Sequence, residues 1–166
     1  MKKKVLLFIL FTTQIIAQKS FETVFYNITI PENTTANLFN SSKEEFATTE
    51  VYEFKQNNKP KYLFYLISNK LLNNDEPLNL FNYSNYLSDI GNIEVLSAEK
   101  IEVNKIRITL KYNDNENVFG VMYFSVTNNI LNRFLFLLPK AELHEMFSPE
   151  INKIFMDIKY LKTEWQ

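Results

Sequence analysis

The sequence predicts an α+β fold, with an antiparallel β-sheet flanked by helices on both faces (an α/β/α sandwich). Three observations predict it. Stretches rich in β-forming residues recur along most of the chain, and several are apolar on both faces. Two stretches switch to helical spacing, at residues 77–88 and 148–158. No linker rich in Pro, Gly or Ser and no internal repeat divides the chain. A strand that is apolar on both sides needs cover on both sides, and helices are the cover this sequence offers.

The elements follow in order. Residues 21–30 are rich in β-formers, stop at Pro31, and read as the first strand. Residues 32–42 are polar and read as a loop, whereas 46–55 alternate moderately around Val51 and Tyr52. "YLFYLIS" at 62–68 is apolar on both faces, as a central strand should be. Leu78, Phe81, Leu87 and Ile90 then lie near helical spacing. With Pro77 in a first turn and Gly91 as a stop, they predict a helix over 77–88.

A run of strands comes next. Residues 94–101 are the first. In "KIRITLKY" (105–112), Ile106, Ile108, Leu110 and Tyr112 share a buried face, and Lys105, Arg107, Thr109 and Lys111 share a wet one. "NDNEN" at 113–117 is a turn, and 118–127 is again apolar on both faces. Asn128-Asn129 fits a two-residue hairpin because Asn tolerates positive φ. Residues 130–138 return and stop at Pro139. After a short helical stretch, Ser148 can cap a last helix, with Pro149 at its first position and Glu150 complementing its positive end. Ile151, Ile154, Phe155 and Ile158 give that helix one apolar face.

This order and its punctuation resemble a known family. "FYNITIPEN" (25–33) is similar to the opening strand of the PsbP-like group, and "NNILNRFLFLLPKAELHEMFSPEINKIFMDIKY" (128–160) is similar to its close. That group includes an extrinsic subunit of photosystem II, a Ran-binding nuclear import factor and exported bacterial proteins. The resemblance implies an α–β–α sandwich that serves as a binding or accessory module. It implies no shared enzymatic activity and carries over no functional residue.

The N-terminus reads as an address. Lys2, Lys3 and Lys4 precede a short apolar run, and Ala17 offers a cleavage site, so residues 1–17 are expected to be a secretory signal peptide. The expected product is one domain, 18–166, in the extracytoplasmic space, periplasmic or secreted, with no membrane-spanning segment. Losing three lysines takes 18 basic residues to 15 against 19 acidic ones, a net charge of −4. With two arginines and no basic stripe, nucleic acid is not an expected partner.

Composition excludes several chemistries. Without cysteine there is no disulfide, thiol nucleophile or thiolate metal site. Two glycines leave no phosphate loop, dinucleotide fingerprint or serine-nucleophile elbow. His144, the single histidine, has only Glu142 and Glu145 near it in sequence, too few ligands for zinc. Asp114 and Glu116 sit among asparagine oxygens, but the stretch lacks the glycine and distal glutamate of a calcium loop. No cofactor is expected.

The sequence therefore reads as an exported, non-enzymatic binding or accessory domain with an unknown protein or small-molecule partner. The expected binding surfaces are residues 32–42 and the 113–117 turn, represented by Glu32, Asn33, Asp114 and Glu116. Tyr62, Tyr65, Tyr83, Tyr86, Tyr112 and Tyr123 are candidates to line a pocket. Two alternatives stay open: a carboxylate-based hydrolase, which needs two acids facing one pocket, and a structural component of an envelope or secretion complex, which needs an exposed apolar patch.

Overall fold

The computed structural model describes residues 19–71, 78–147, 149–161 and 165. The expected signal peptide, Pro77 and the Ser148 cap lie outside them. Among the described residues ten strands form two antiparallel sheets. The large sheet runs β3(Thr34–Lys43), β4(Ala47–Gln56), β5(Lys59–Lys70), β9(Ile130–Pro139), β8(Val118–Thr127), β7(Lys105–Tyr112), β6(Ile93–Glu102). The small sheet runs β1(Lys19–Glu22), β2(Tyr26–Ile30), β10(Lys159–Tyr160). The single α-helix among the described residues is α1(Pro149–Met156).

The expected α/β/α sandwich does not form. The described residues are mostly β, and α1 lies on one face of the large sheet. On that face α1 inserts Ile151, Ile154 and Phe155, at the predicted spacing of 3 and 4, and β2 inserts Tyr26, Ile28 and Ile30. They meet Tyr52, Phe54, Phe64, Tyr123, Phe134 and Phe136 from the sheet. Phe155 stacks on Tyr123 at 4.2 Å between ring centroids and meets Phe134 edge-on at 5.6 Å. Fully burying each such ring contributes on the order of 2–3 kcal/mol.

The opposite face carries Ile106, Ile108, Leu110, Met122, Phe124, Leu131 and Leu135. Its cover is a strap, residues 78–91, which crosses from the end of β5 toward the start of β6 and buries Leu78 and Leu87. The strap is the segment expected to be a helix over 77–88, and its described part is turns with one 3-10 turn at Tyr83–Tyr86. The reason is local. The Asn79 side chain accepts from the Phe81 N–H at 2.7 Å, and the Asn82 side chain accepts from the Asn79 N–H at 2.8 Å. The Asn79 side chain thus takes the Phe81 N–H, a donor that a helix over 77–88 would use, and the Asn82 side chain folds back on the Asn79 N–H.

Other differences are smaller. The single strand expected over 21–30 is the hairpin β1–β2, folded at Thr23, whose Oγ1 accepts from the Tyr26 N–H at 3.0 Å. The loop expected over 32–42 is largely β3, an edge strand. The supposedly wet face of β7 is half covered: Thr109 is buried, and Arg107 reaches Asn152 of α1 at 3.4 Å.

Candidate ligand-binding cleft

The strap leaves part of its face uncovered. A cleft of about 520 Å³ lies where that cover ends. Tyr65 and Ile67 of β5, Leu135 and Leu137 of β9 and Thr49 of β4 line it along the sheet. Ile90 and Asp89 at the end of the strap, Tyr112 of β7, and Asp114, Asn115 and Val118 complete the lining. The volume falls within the roughly 300–1,000 Å³ of small-molecule sites, and the mix of apolar side chains with a few polar groups is typical of them.

Each wall has a local cause. The 113–117 turn is tied to Asn92: the Asn113 N–H donates to the Asn92 carbonyl at 2.9 Å, and Asn92 Nδ2 donates to Asp114 Oδ1 at 3.0 Å. Asn115 Oδ1 accepts from the Asn117 N–H at 3.1 Å. These bonds hold Asp114 in place before any ligand arrives. Burial pushes the Tyr112 hydroxyl pKa up, and the nearby Tyr65 adds to the rise, so Tyr112 presents a neutral phenol to the cleft at neutral pH.

Asp89 is committed elsewhere. Arg133, buried on β9, grips it with a two-pronged pair: Nη2 reaches Oδ2 at 2.6 Å and Nη1 bonds Oδ1. The same guanidinium donates to the Tyr86 carbonyl at 2.8 Å and to Asn69 Oδ1 at 2.6 Å. This clamp ties the strap to the sheet. Burial raises the Asp89 pKa, but hydrogen bonding and charge from Arg133 together outweigh it and hold the carboxyl below its ordinary value.

A second groove of about 340 Å³ lies beside α1, with Tyr123, Asn152, Arg107 and Glu99. Arg107 Nε is paired with Glu99 at 2.7 Å, and the Tyr123 hydroxyl donates to Asn152. Burial, only partly offset by Arg107, pushes the Tyr123 pKa up to about 12. These groups bind one another across the groove, which makes it a helix-docking seam.

The sequence-derived candidates fall in different places. Asp114 is in the cleft lining, and Glu116 is exposed in the same turn. Glu32 and Asn33 form the exposed turn before β3. Strand order puts both turns at one end of the sheet, four to five strand spacings apart, or roughly 19–24 Å. Of the tyrosines, Tyr65 and Tyr112 line the cleft, Tyr62 and Tyr123 belong to the helix-side core, and Tyr83 and Tyr86 belong to the strap and pack against the face it covers. His144 is exposed, with Nε2 3.9 Å from Glu142. Among the described residues no group of three or more His, Asp or Glu could hold a metal ion, and no helix is long and apolar enough to cross a membrane.

No protein-family model matches the chain, and no curated protein matches it.

Proposed function

We propose that the chain is a binding module, working outside the cytoplasm, that holds a small, largely apolar molecule in the cleft between strap and sheet. The carrying observation is the cleft itself: about 520 Å³, lined along the sheet by Tyr65, Ile67, Leu135 and Leu137 and rimmed by the fixed polar groups of Asp114 and Asn115. A fitting ligand has an apolar or aromatic body and a hydrogen-bond donor at one end, directed at Asp114. Preformed walls on strands keep the ordering cost of binding low.

The hydrolase reading is weaker at the same place. Asp89 and Asp114 both line the cleft, which is the arrangement two-carboxylate catalysis needs. One of the pair must then act as a protonated acid near neutral pH. Arg133 holds Asp89 ionised, so the acid would have to be Asp114, which is exposed and tied to Asn92.

Titration with N-phenyl-1-naphthylamine, a neutral apolar fluorophore, tests the proposal. We expect a saturable fluorescence increase with one site per chain, and a melting temperature that rises with probe concentration. Thr49→Trp, which fills the cleft from β4, should abolish the signal while leaving the unliganded melting temperature within a few degrees. Undiminished binding by Thr49→Trp, or no saturable binding by the unmodified chain, would overturn it.

A further inference from the structure

The large sheet has two edges, and they are built differently. β6 is defended: it carries Glu94, Glu99, Lys100 and Glu102, and its pairing is broken between Val95/Ser97 and Lys100/Glu102. Charges and bulges on an edge discourage further strands from adding to it. β3, the other edge, is equally long at ten residues and has no charge from Thr34 through Ser42. Near its middle it exposes Leu38 (56% accessible) and Phe39 (76% accessible). Its one irregularity, between Leu38 and Asn40, makes Phe39 the extra residue.

We propose that β3 pairs antiparallel with β3 of a second copy of this chain, joining the two large sheets edge to edge about a two-fold axis. Self-complementarity selects this occupant. The midpoint of β3 falls between Leu38 and Phe39. A two-fold axis there sets Leu38 of each copy against Phe39 of the other, and Ala36 against Ser41. Lys43, the strand's one charge, then lies opposite Thr34, so no like charges face each other along the ladder. The bulge sits on the axis, so each half of the strand can still form a regular ladder with the opposite half of its mate. A foreign peptide would need a pocket or a charge pattern to be selected, and from Thr34 through Ser42 β3 offers backbone groups, uncharged Thr, Asn and Ser side chains and two exposed apolar ones. A second copy supplies the same pair in the matching place, as a closed two-fold contact requires.

Sedimentation velocity over a concentration series provides the first test, with a concentration-dependent dimer expected. Leu38→Lys and Phe39→Lys, both at exposed positions, should each weaken association about tenfold or more by placing a charge at the axis. Leu96→Lys, on the opposite edge, should leave it unchanged. The chain has no cysteine, so Lys43→Cys gives a single spin-labelling site. In this register the two Lys43 positions lie nine residues apart along the paired strands, so the label distance should be about 30 Å. A monomer at every concentration, a dimer equally sensitive to Leu96→Lys, or a label distance incompatible with that register would each overturn the pairing.

Discussion

Asparagine does in this protein what glycine does in most β-proteins. The described residues include six non-glycine positions with positive φ, and all six are Asn: 33, 57, 58, 104, 128 and 129. They make the turns β2–β3, β4–β5, β6–β7 and β8–β9. Asn reaches this region more readily than other residues with a Cβ because its short polar side chain can bond locally. We therefore expect Asn129→Gly to keep or slightly raise stability, and Asn129→Ala to cost about 1 kcal/mol. Urea denaturation midpoints would show the order, and equal midpoints would contradict it. The Asn128-Asn129 turn was legible in the sequence because two asparagines stood alone between two apolar runs. Asn33 and Asn104 were not, because each supplies only one positive-φ residue, with no second Asn beside it to mark a two-residue turn.

The strap is the element whose attachment can be tested most directly. Arg133 is buried and Asp89 is half exposed, so the two halves of their pair are not equivalent. Asp89→Ala leaves a buried guanidinium without its carboxylate and should cost about 3 kcal/mol. Arg133→Met removes the charge from the interior and returns Asp89 to water, and should cost less. The pH dependence has a definite sign. Because the folded pKa of Asp89 is lowered, its contribution is complete above the ordinary value of 3.8 and disappears as pH falls through the lower folded value. Hydrogen exchange of the 78–91 amides should therefore speed up at acid pH before that of β8 and β9, and Asp89→Asn should remove most of that pH dependence. Simultaneous release of strap and sheet would contradict the clamp.

Element-scale reading of the sequence succeeded where burial imposes a period. β7 and β8 have the predicted bounds because their side chains must alternate or stay apolar inside the sheet. It failed at β3 and at the strap. An edge strand open to water needs no apolar face, so β3 resembled a loop. In the strap, Leu78, Leu87 and the polar Asn82 are buried, while Phe81 is almost fully exposed, so the apparent helical spacing did not describe a packed face.

At the scale of the molecule, the large sheet consists of two local stacks, β3–β4–β5 and β9–β8–β7–β6, that meet along β5 and β9. Partners across this seam, such as Leu63 and Leu137, lie far apart in sequence. Closing such a loop costs entropy before any contact forms, so refolding should take milliseconds to seconds, which stopped-flow fluorescence would measure. Microsecond refolding would mean that the seam is not limiting. The same long-range assembly hid the cleft. Thr49, Tyr65, Tyr112 and Leu137 share one cavity only after the stacks join and the strap crosses, and no local spacing encodes that. Asp114 drew attention from sequence as part of a polar turn. Its role in the cleft lining comes from the strand order.

The seam also contains a pair of side chains that apolar packing does not require. Ser68 and Asn132 face each other across β5 and β9, both fully buried, with Ser68 Oγ donating to Asn132 Oδ1 at 3.0 Å. Around them run Leu66, Phe134 and Phe136, residues interchangeable enough for neighbouring alignments to compete. A slip by one residue turns Asn132 toward the strap side, and a slip by two leaves both polar groups buried without each other. The pair therefore acts as an alignment key: it contributes little to the depth of the native energy minimum and much to its uniqueness. A chain with both positions made apolar could melt at a higher temperature and still give doubled amide resonances along β5 and β9.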